Sequence, residues 1–357
     1  MREILESLAR REHLTPGQAE EAFSLLLSGE MTPAQAGAFL MGLRAKGETA
    51  DELAAGVNVC LRAARPVPGL FGPRIDTCGT GGDNRCSFNC STAVALILAA
   101  MGHKVVKHGN RSVSSSCGSA DVLEALGLPL DLPPEDVAAE LARTGFAFLF
   151  APAYHPAFKN VGPVRRDLGL RTLFNVMGPL LNPARPTHQI VGVAEPNLMP
   201  VVAEVLARSG VERAAVVHGA EGFDEVTPFG PSRVLWIEGG RVAEGVIDPE
   251  ALGLGGGRPK DVAVAGRDEA LLAMRELLAG KGHIIMQHMV MLNLAVALYV
   301  LGEAGDMQSA AMQARGAVFD GAAATLFAPA ASDGAELDPL AGFMDPFGGK
   351  GKHPGGC

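Results

Sequence analysis

Cysteine is scarce and unpatterned in this 357-residue chain: Cys60, Cys78, Cys86, Cys90, Cys117 and Cys357 form no C-x-x-C pair and no metal-type spacing. That argues against a cysteine-held metal or a dithiol motif. Cys78, Cys86, Cys90 and Cys117 fall in or beside glycine- and serine-rich stretches with no basic partner at a motif-like spacing, so they read as small apolar residues kept reduced in a cytosolic protein. Long apolar runs are lacking too. The longest, Met289 to Leu301, contains Asn293 and falls short of the ~18–20 residues of a membrane span, so it reads as a core helix. Met1 to Arg11 alternates charge with Leu and Ile, unlike a signal peptide. A basic excess is missing as well: 30 Lys and Arg stand against 39 Asp and Glu, a net charge of −9 that argues against a nucleic-acid surface. These absences predict a cytoplasmic chain with no membrane and no nucleic-acid partner. What is plentiful is hydrophobic content, 48%, enough for a substantial core and two domains.

Three helix starts recur near the N-terminus, at Thr15-Pro16-Gly17-Gln18, Thr32-Pro33-Ala34-Gln35 and Thr49-Ala50-Asp51-Glu52. Each is a capping box, and two carry Pro at the first helical position. Apolar residues follow at helical spacing, so residues 1–70 are predicted to be a small helical domain ending at Pro66-Val67-Pro68-Gly69. From Arg74 on, short apolar or β-branched runs (104–106, 146–150, 189–193, 213–218 and 232–237) alternate with helical stretches (134–144, 198–209 and 268–278). The alternation predicts an α/β domain over 71–330 with a mostly parallel sheet flanked by helices. Residues 160–184 regain helical character. Residues 331–357, rich in Gly, Lys and Pro without apolar periodicity, read as a disordered tail.

Two stretches carry chemistry. Asp76-Thr77-Cys78-Gly79-Thr80-Gly81-Gly82-Asp83 reads as a glycine-rich turn after a strand ending at Arg74-Ile75. Asn89-Cys90-Ser91-Thr92 then opens an apolar helix, and a turn feeding a helix N-terminus suits phosphate. The spacing is neither G-x-G-x-x-G nor G-x-x-x-x-G-K-[ST], and alone it fits a sharp turn equally well. Lys107-His108-Gly109-Asn110-Arg111-Ser112-Val113-Ser114-Ser115-Ser116-Cys117-Gly118-Ser119 breaks the tie. It packs two cations, an amide, five hydroxyls and two glycines between a strand and a helix, a composition suited to several phosphate oxygens at once.

The pairing of Gly79-Thr80-Gly81-Gly82-Asp83 with Lys107-His108-Gly109-Asn110-Arg111-Ser112 resembles the anthranilate phosphoribosyltransferase family. Arg165-Arg166-Asp167-Leu168-Gly169-Leu170-Arg171-Thr172, Asn175 to Pro183 and Gly222-Phe223-Asp224-Glu225 agree with it. The resemblance runs from the first helix to about residue 325 and weakens beyond Arg258. It implies the nucleoside phosphorylase/phosphoribosyltransferase type of fold, with residues 160–184 packing on the helical domain. It implies transfer of phosphoribose from phosphoribosyl pyrophosphate to the amine of anthranilate, in tryptophan biosynthesis, by a homodimer joined through its N-terminal helices. The donor would be held by Gly79, Gly82, Asp83, Ser87, Asn89, Cys90, Ser91, Thr92, Lys107, His108, Gly109, Asn110, Arg111, Ser112, Val113, Ser114, Ser115 and Ser119. The acceptor would meet Gly79, Asn110 and Arg165. His108 and His155 sit in matching motifs, and each alone reads as structural.

Asp224-Glu225 follows the run Ala215 to His218, and carboxylates beside a polyphosphate suit Mg²⁺. By resemblance Ser91 with Glu225 would hold one ion and Asp224 with Glu225 a second, two per subunit. Arg165, Arg166 and Arg171 suit an acidic acceptor, because a planar guanidinium binds a carboxylate bidentately. No general base is assigned, since an aromatic amine already offers a free lone pair. The chain departs from the family at Ser87, where threonine is usual, at Cys90, usually β-branched, and at His288, usually Asp. An Asn-containing pattern expected near 266–273 is also not evident. A pyrimidine nucleoside phosphorylase and a non-catalytic nucleic-acid-binding relative are the rival readings.

Overall fold

Three threonines set the N-terminal helical lobe. The structure, a computed structural model, describes residues 1–82, 85–111 and 118–327. After α1 (Arg2–Ala9), Thr15, Thr32 and Thr49 each accept from the backbone N–H three residues on while Gln18, Gln35 and Glu52 reach back. These boxes open α2 (Pro16–Ser28), α3 (Pro33–Lys46) and α4 (Ala50–Ala63). Phe23, Leu26, Phe39, Leu40, Leu43 and Leu53 are buried between them. A buried ion pair, Lys46 Nζ to Glu52 Oε2 at 2.6 Å, ties α3 to α4.

The second lobe begins with β1 (Ile75–Gly79), α5 (Cys90–Ala100), β2 (Val105–Gly109), α6 (Ser119–Ala125), α7 (Val137–Thr144) and β3 (Phe146–Phe150). The short helices α8 (Ala151–Tyr154), α9 (Gly162–Leu168) and α10 (Leu173–Met177) lead to β4 (His188–Gly192), α11 (Met199–Arg208), β5 (Arg213–His218), β6 (Ser232–Glu238) and β7 (Arg241–Ile247). The described residues end with α12 (Arg267–Leu278), α13 (Ile284–Leu301), α14 (Met307–Asp320) and α15 (Ala322–Leu326). The sheet order is β3-β2-β1-β4-β5-β6-β7. β3 to β5 are parallel, whereas β6 and β7 are antiparallel additions. One sheet face packs on α5 and α13. The other shares a core with α2–α4, α10 and α11, so the helical lobe and the sheet are continuous through Phe174, Met177, Val191 and Val216.

Two sequence boundaries shift. β1 runs through Gly79, so Asp76 to Gly79 lie in a strand and only the residues after Gly79 turn. β2 extends to Gly109, placing Lys107 and His108 in the sheet rather than in a loop. A strand is satisfied by ladder partners on both sides, which override the loop-like composition. β7 is not anticipated by the sequence pattern; its exposed edge alternates too weakly to announce itself. α13, at 18 residues and mean hydropathy 1.9, is long and apolar enough to span a membrane, yet 72% of it is buried inside the protein. Residues 331–357, read as a disordered tail, lie outside the described residues.

Candidate active site

The parallel strands run outward in both directions from the β1–β4 pair, and ligands of open α/β sheets sit off the carboxyl ends at such a reversal. There Gly79 pairs with Gly192. Neither can be another residue. A Cβ on Gly79 would lie 2.2 Å from Asp224 Oδ2, and one on Gly192 only 1.6 Å from the Asp224 carbonyl oxygen. The two glycines therefore open the sheet edge for the acidic dipeptide that follows β5. Asn293 fixes that dipeptide from α13: Val226 N–H donates to its Oδ1 at 3.0 Å, and its Nδ2 donates to the Val226 carbonyl at 2.8 Å. Ser91, Asp224, Glu225, Thr77 and Gly79 line a cavity of about 20 Å³ here, room for about one water-sized occupant.

Lys107 supplies the positive charge. Its side chain is buried at 2% exposure, and its ammonium donates to the Thr77 carbonyl and to Ser91 Oγ at 3.2 Å. No carboxylate forms an ion pair with it among the described residues. Burial lowers its pKa, and the nearby Asp76 opposes that. Asp76 is fully buried and pushed up to about 6 by burial, with Lys107 pulling the other way. Asn182 Nδ2 donates to Asp76 Oδ2 at 2.8 Å, and His108 N–H donates to Oδ1 at 3.3 Å. His108 and His155 meet edge to face at 5.2 Å, and burial lowers them to about 3 and about 4. Their Nε2 and Nδ1 respectively have no hydrogen-bond partner among the described residues.

The glycine loop is pinned at its start. Thr80 N–H donates to the Gly192 carbonyl at 2.8 Å, and Gly81 N–H donates to Asp224 Oδ2 at 2.9 Å. Asn89 stands at the N-cap of α5 without a side-chain cap hydrogen bond. Cys90 turns its thiol inward to the Met289 carbonyl, 3.7 Å away, and Thr92 is fully buried with its hydroxyl unpartnered among the described residues. Ser87 bridges to Ala263. At the end of β2, a Cβ on Gly109 would stand 2.7 Å from Ser119 Oγ, and that hydroxyl donates to the Asn110 carbonyl at 3.3 Å. Arg111 faces Asp121 and Glu124 of α6 at 2.7 and 2.9 Å. Burial raises the thiols of Cys78 and Cys90 well above their usual range, which suits packing and not nucleophilic attack. Asp83, Ser112, Val113, Ser114 and Ser115 lie outside the described residues.

The arginines separate. Arg165, in α9, lies 5.5 Å over the Phe174 ring, with Nη2 3.4 Å from Asn175 Oδ1 and no ion-pair partner among the described residues. Burial lowers its pKa. Arg166 is exposed, and Arg171 reaches the glycine loop. Sequence reasoning missed the buried hydrogen bond of Asn182 to Asp76, whose charge acts on Lys107, and Asn293 as the clamp on the acidic loop. The signal for Asn293 was present, a lone amide in the longest apolar run; Asp76 and Asn182 meet only through the fold.

The oxygen-bearing side chains around the cavity, Ser91, Asp224 and Glu225 among them, suit a hard cation. Among the described residues no cluster of three or more His, Cys, Asp or Glu groups forms a metal site. Mg²⁺ keeps waters and takes one or two carboxylates together with substrate phosphates, and Asp224 and Glu225 line the cavity.

A family model described as the helical bundle domain of a glycosyl transferase family matches residues 2–64, and its a/b domain counterpart matches residues 72–324. The chain is 55% identical over 324 residues to an anthranilate phosphoribosyltransferase of Nitratidesulfovibrio vulgaris, covering 89% of this chain and 96% of that protein. It is 56% identical over 320 residues to one from Oleidesulfovibrio alaskensis, covering 90% and 97%. Among solved structures, the anthranilate phosphoribosyltransferase of Thermus thermophilus superposes with a TM-score of 0.85 at 38% identity, covering 91% and 97%. The Saccharomyces cerevisiae enzyme in complex with PRPP and Mg superposes at 0.83 with 25% identity, covering 91% and 95%.

Proposed function

The chain belongs to the anthranilate phosphoribosyltransferase family of glycosyl transferases, and we propose that it works through the cavity at the β1–β4 reversal. It transfers the phosphoribosyl group of 5-phosphoribosyl 1-pyrophosphate (PRPP) to the amine of anthranilate, giving N-(5-phosphoribosyl)anthranilate and pyrophosphate, a step of tryptophan biosynthesis. Lys107 carries this reading, a buried ammonium that donates to Ser91 and feels the charge of Glu225, with no ion pair among the described residues.

Breaking the bond between ribose C1 and pyrophosphate builds positive charge on the sugar and negative charge on the leaving group. Lys107 and the loop amides meet the second charge; preorganised donors of this kind are the largest lever for such a step. When bound, Mg²⁺ supplies further neutralisation of the pyrophosphate. On the family resemblance Ser91, Asp224 and Glu225 would hold it, two ions per subunit; magnesium itself is present with PRPP in the yeast enzyme's complex. Gly79, Gly82, Asp83, Ser87 to Thr92 without Phe88, Lys107 to Ser115, and Ser119 contact the donor in this reading. Arg165, with no acid beside it among the described residues, receives the anthranilate carboxylate, with Asn110 and Gly79 nearby. The amine attacks C1 with its own lone pair, so placement near C1 replaces base catalysis.

A cytoplasmic homodimer completes the proposal, on the family resemblance. The apolar faces of α2–α4 already pack on α10 and α11 of the same chain, so need of cover does not itself demand a second copy. Purified protein with Mg²⁺ and PRPP should consume anthranilate, followed by loss of its fluorescence. Consumption of a pyrimidine nucleoside with inorganic phosphate instead would replace this reading with the phosphorylase one.

A further inference from the structure

Arg171 stands at the end of the segment that carries Arg165, past the positive-φ turn at Gly169 (φ 59°). Its guanidinium does not face the same way as that of Arg165. Nη2 donates to the carbonyls of Gly82 and Gly81, the latter at 3.4 Å, and Nη1 lies 3.4 Å from the exposed carboxylate of Glu195. The backbone carbonyl of Arg171 in turn accepts from Arg44 Nη1 of α3. One residue thus joins the helical lobe, the acceptor-side segment and the glycine loop.

We propose that Arg171 is a positioning residue, a latch that holds the glycine loop with the Gly82 amide turned toward the donor and ties that loop to the acceptor side. The inference rests on the donor site proposed above. Peptide groups are planar and trans, so carbonyl and N–H point opposite ways. Gripping the Gly81 carbonyl therefore aims the Gly82 N–H away from Arg171. The opposite flank of the loop is fixed by Gly81 N–H on Asp224 Oδ2 at 2.9 Å and Thr80 N–H on Gly192 at 2.8 Å. The backbone from Thr80 to Gly82 is thus held from both sides. Gly82 has its own reason to be glycine here: φ is +75°, and a Cβ would fall 1.4 Å from Arg171 Nη2. A carbonyl hydrogen-bonded to a cation also polarises its peptide, strengthening the N–H as a donor to an anion.

Arg44→Ala, Arg171→Ala, Arg171→Lys and the Arg44/Arg171 double alanine variant test the latch in the full chain. Hydrogen exchange of the ligand-free proteins reads it without any substrate: amides of residues 79–82 should exchange faster in Arg171→Ala. In steady-state kinetics, Arg171→Ala should raise the PRPP KM by about tenfold, the scale of one charge-assisted hydrogen bond. The anthranilate KM at saturating PRPP should stay within about twofold. Arg44→Ala should act in the same direction, more weakly, and add nothing in the Arg171→Ala background. Arg171→Lys should recover part of the loss, since an ammonium can still donate to a carbonyl. Additive effects, unchanged exchange, or a rise confined to the anthranilate KM would overturn the latch; the last would make Arg171 an acceptor contact. Failure of the wild-type protein to join PRPP and anthranilate would sink the proposed reaction, while the exchange result still judges the latch.

Discussion

Arg165 is a half-buried cation stacked on Phe174, desolvated and with no carboxylate beside it in the described residues. A bond from such a group to a carboxylate is worth about 1.5–3 kcal/mol, so Arg165→Ala should raise the anthranilate KM by roughly one to two orders of magnitude and spare PRPP. Arg165→Lys should not restore it, because an ammonium lacks the planar fork. Equal rises in both Michaelis constants would make Arg165 a structural residue of α9. Asp224→Asn and Glu225→Gln should each cripple turnover while leaving the thermal transition in place, and full turnover in excess chelator would remove the metal from the scheme. The buried histidines set an acid limit. His108 and His155 stay neutral in the fold, at about 3 and about 4, for reasons of burial. In the unfolded chain each takes a proton near pH 6.5. Their contribution is thus complete above about pH 6.5 and is lost as pH falls toward about 4 and then 3. Asp76, raised to about 6, works the other way: its folded form holds a proton more tightly, which favours folding as pH falls from about 6. His155→Gln should therefore flatten the decline in stability between about pH 6.5 and 5, by about 2 kcal/mol at the lower end. An unchanged slope in denaturant titrations would show that His155 is not the titrating group.

At the level of elements, two kinds of tie hold the helical lobe, and their sizes differ. The Thr32 capping box satisfies orphan amides at an exposed helix end, and Thr32→Ala should cost about 1 kcal/mol. Glu52 belongs to the same kind of box at α4 but is fully buried, where it accepts from Leu14 N–H at 2.8 Å, Thr49 N–H at 3.0 Å and Lys46 Nζ at 2.6 Å. Glu52→Ala strands a buried ammonium and two amides, so it should cost about 3–5 kcal/mol. Chemical denaturation of the two variants separates them; equal losses would mean that solvent reaches Lys46 when its partner is removed.

For the whole molecule, the proposed homodimer predicts that the chain sediments above its 37.0 kDa monomer mass at micromolar concentration. A single 37.0 kDa species would count against it. The continuous core between the helical lobe and the sheet also predicts one cooperative unfolding transition, because Phe174, Met177 and Val191 belong to both sides of the boundary. Two separated transitions in calorimetry would show that the lobes unfold independently.

The sequence by itself determined what depends on neighbours along the chain. Threonine boxes, the strands at 146–150 and 213–218, and the acidic pair after a strand all follow from local propensity and spacing, and all stand where those rules put them. The residues of the proposed donor site were legible as composition, because glycine, serine and lysine in such density have few other uses. Their placement was not. Lys107 and Asp76 lie in strands, since sheet pairing with partners distant in sequence outweighs the turn-like chemistry of their neighbours. The division of labour among the arginines was decided by tertiary structure alone: one chain segment delivers Arg165 to the ring of Phe174 and Arg171 to the carbonyls of Gly81 and Gly82. Spacing fixes how far apart two side chains lie along the backbone, while the packing of α3, α9 and the glycine loop fixes what each one meets.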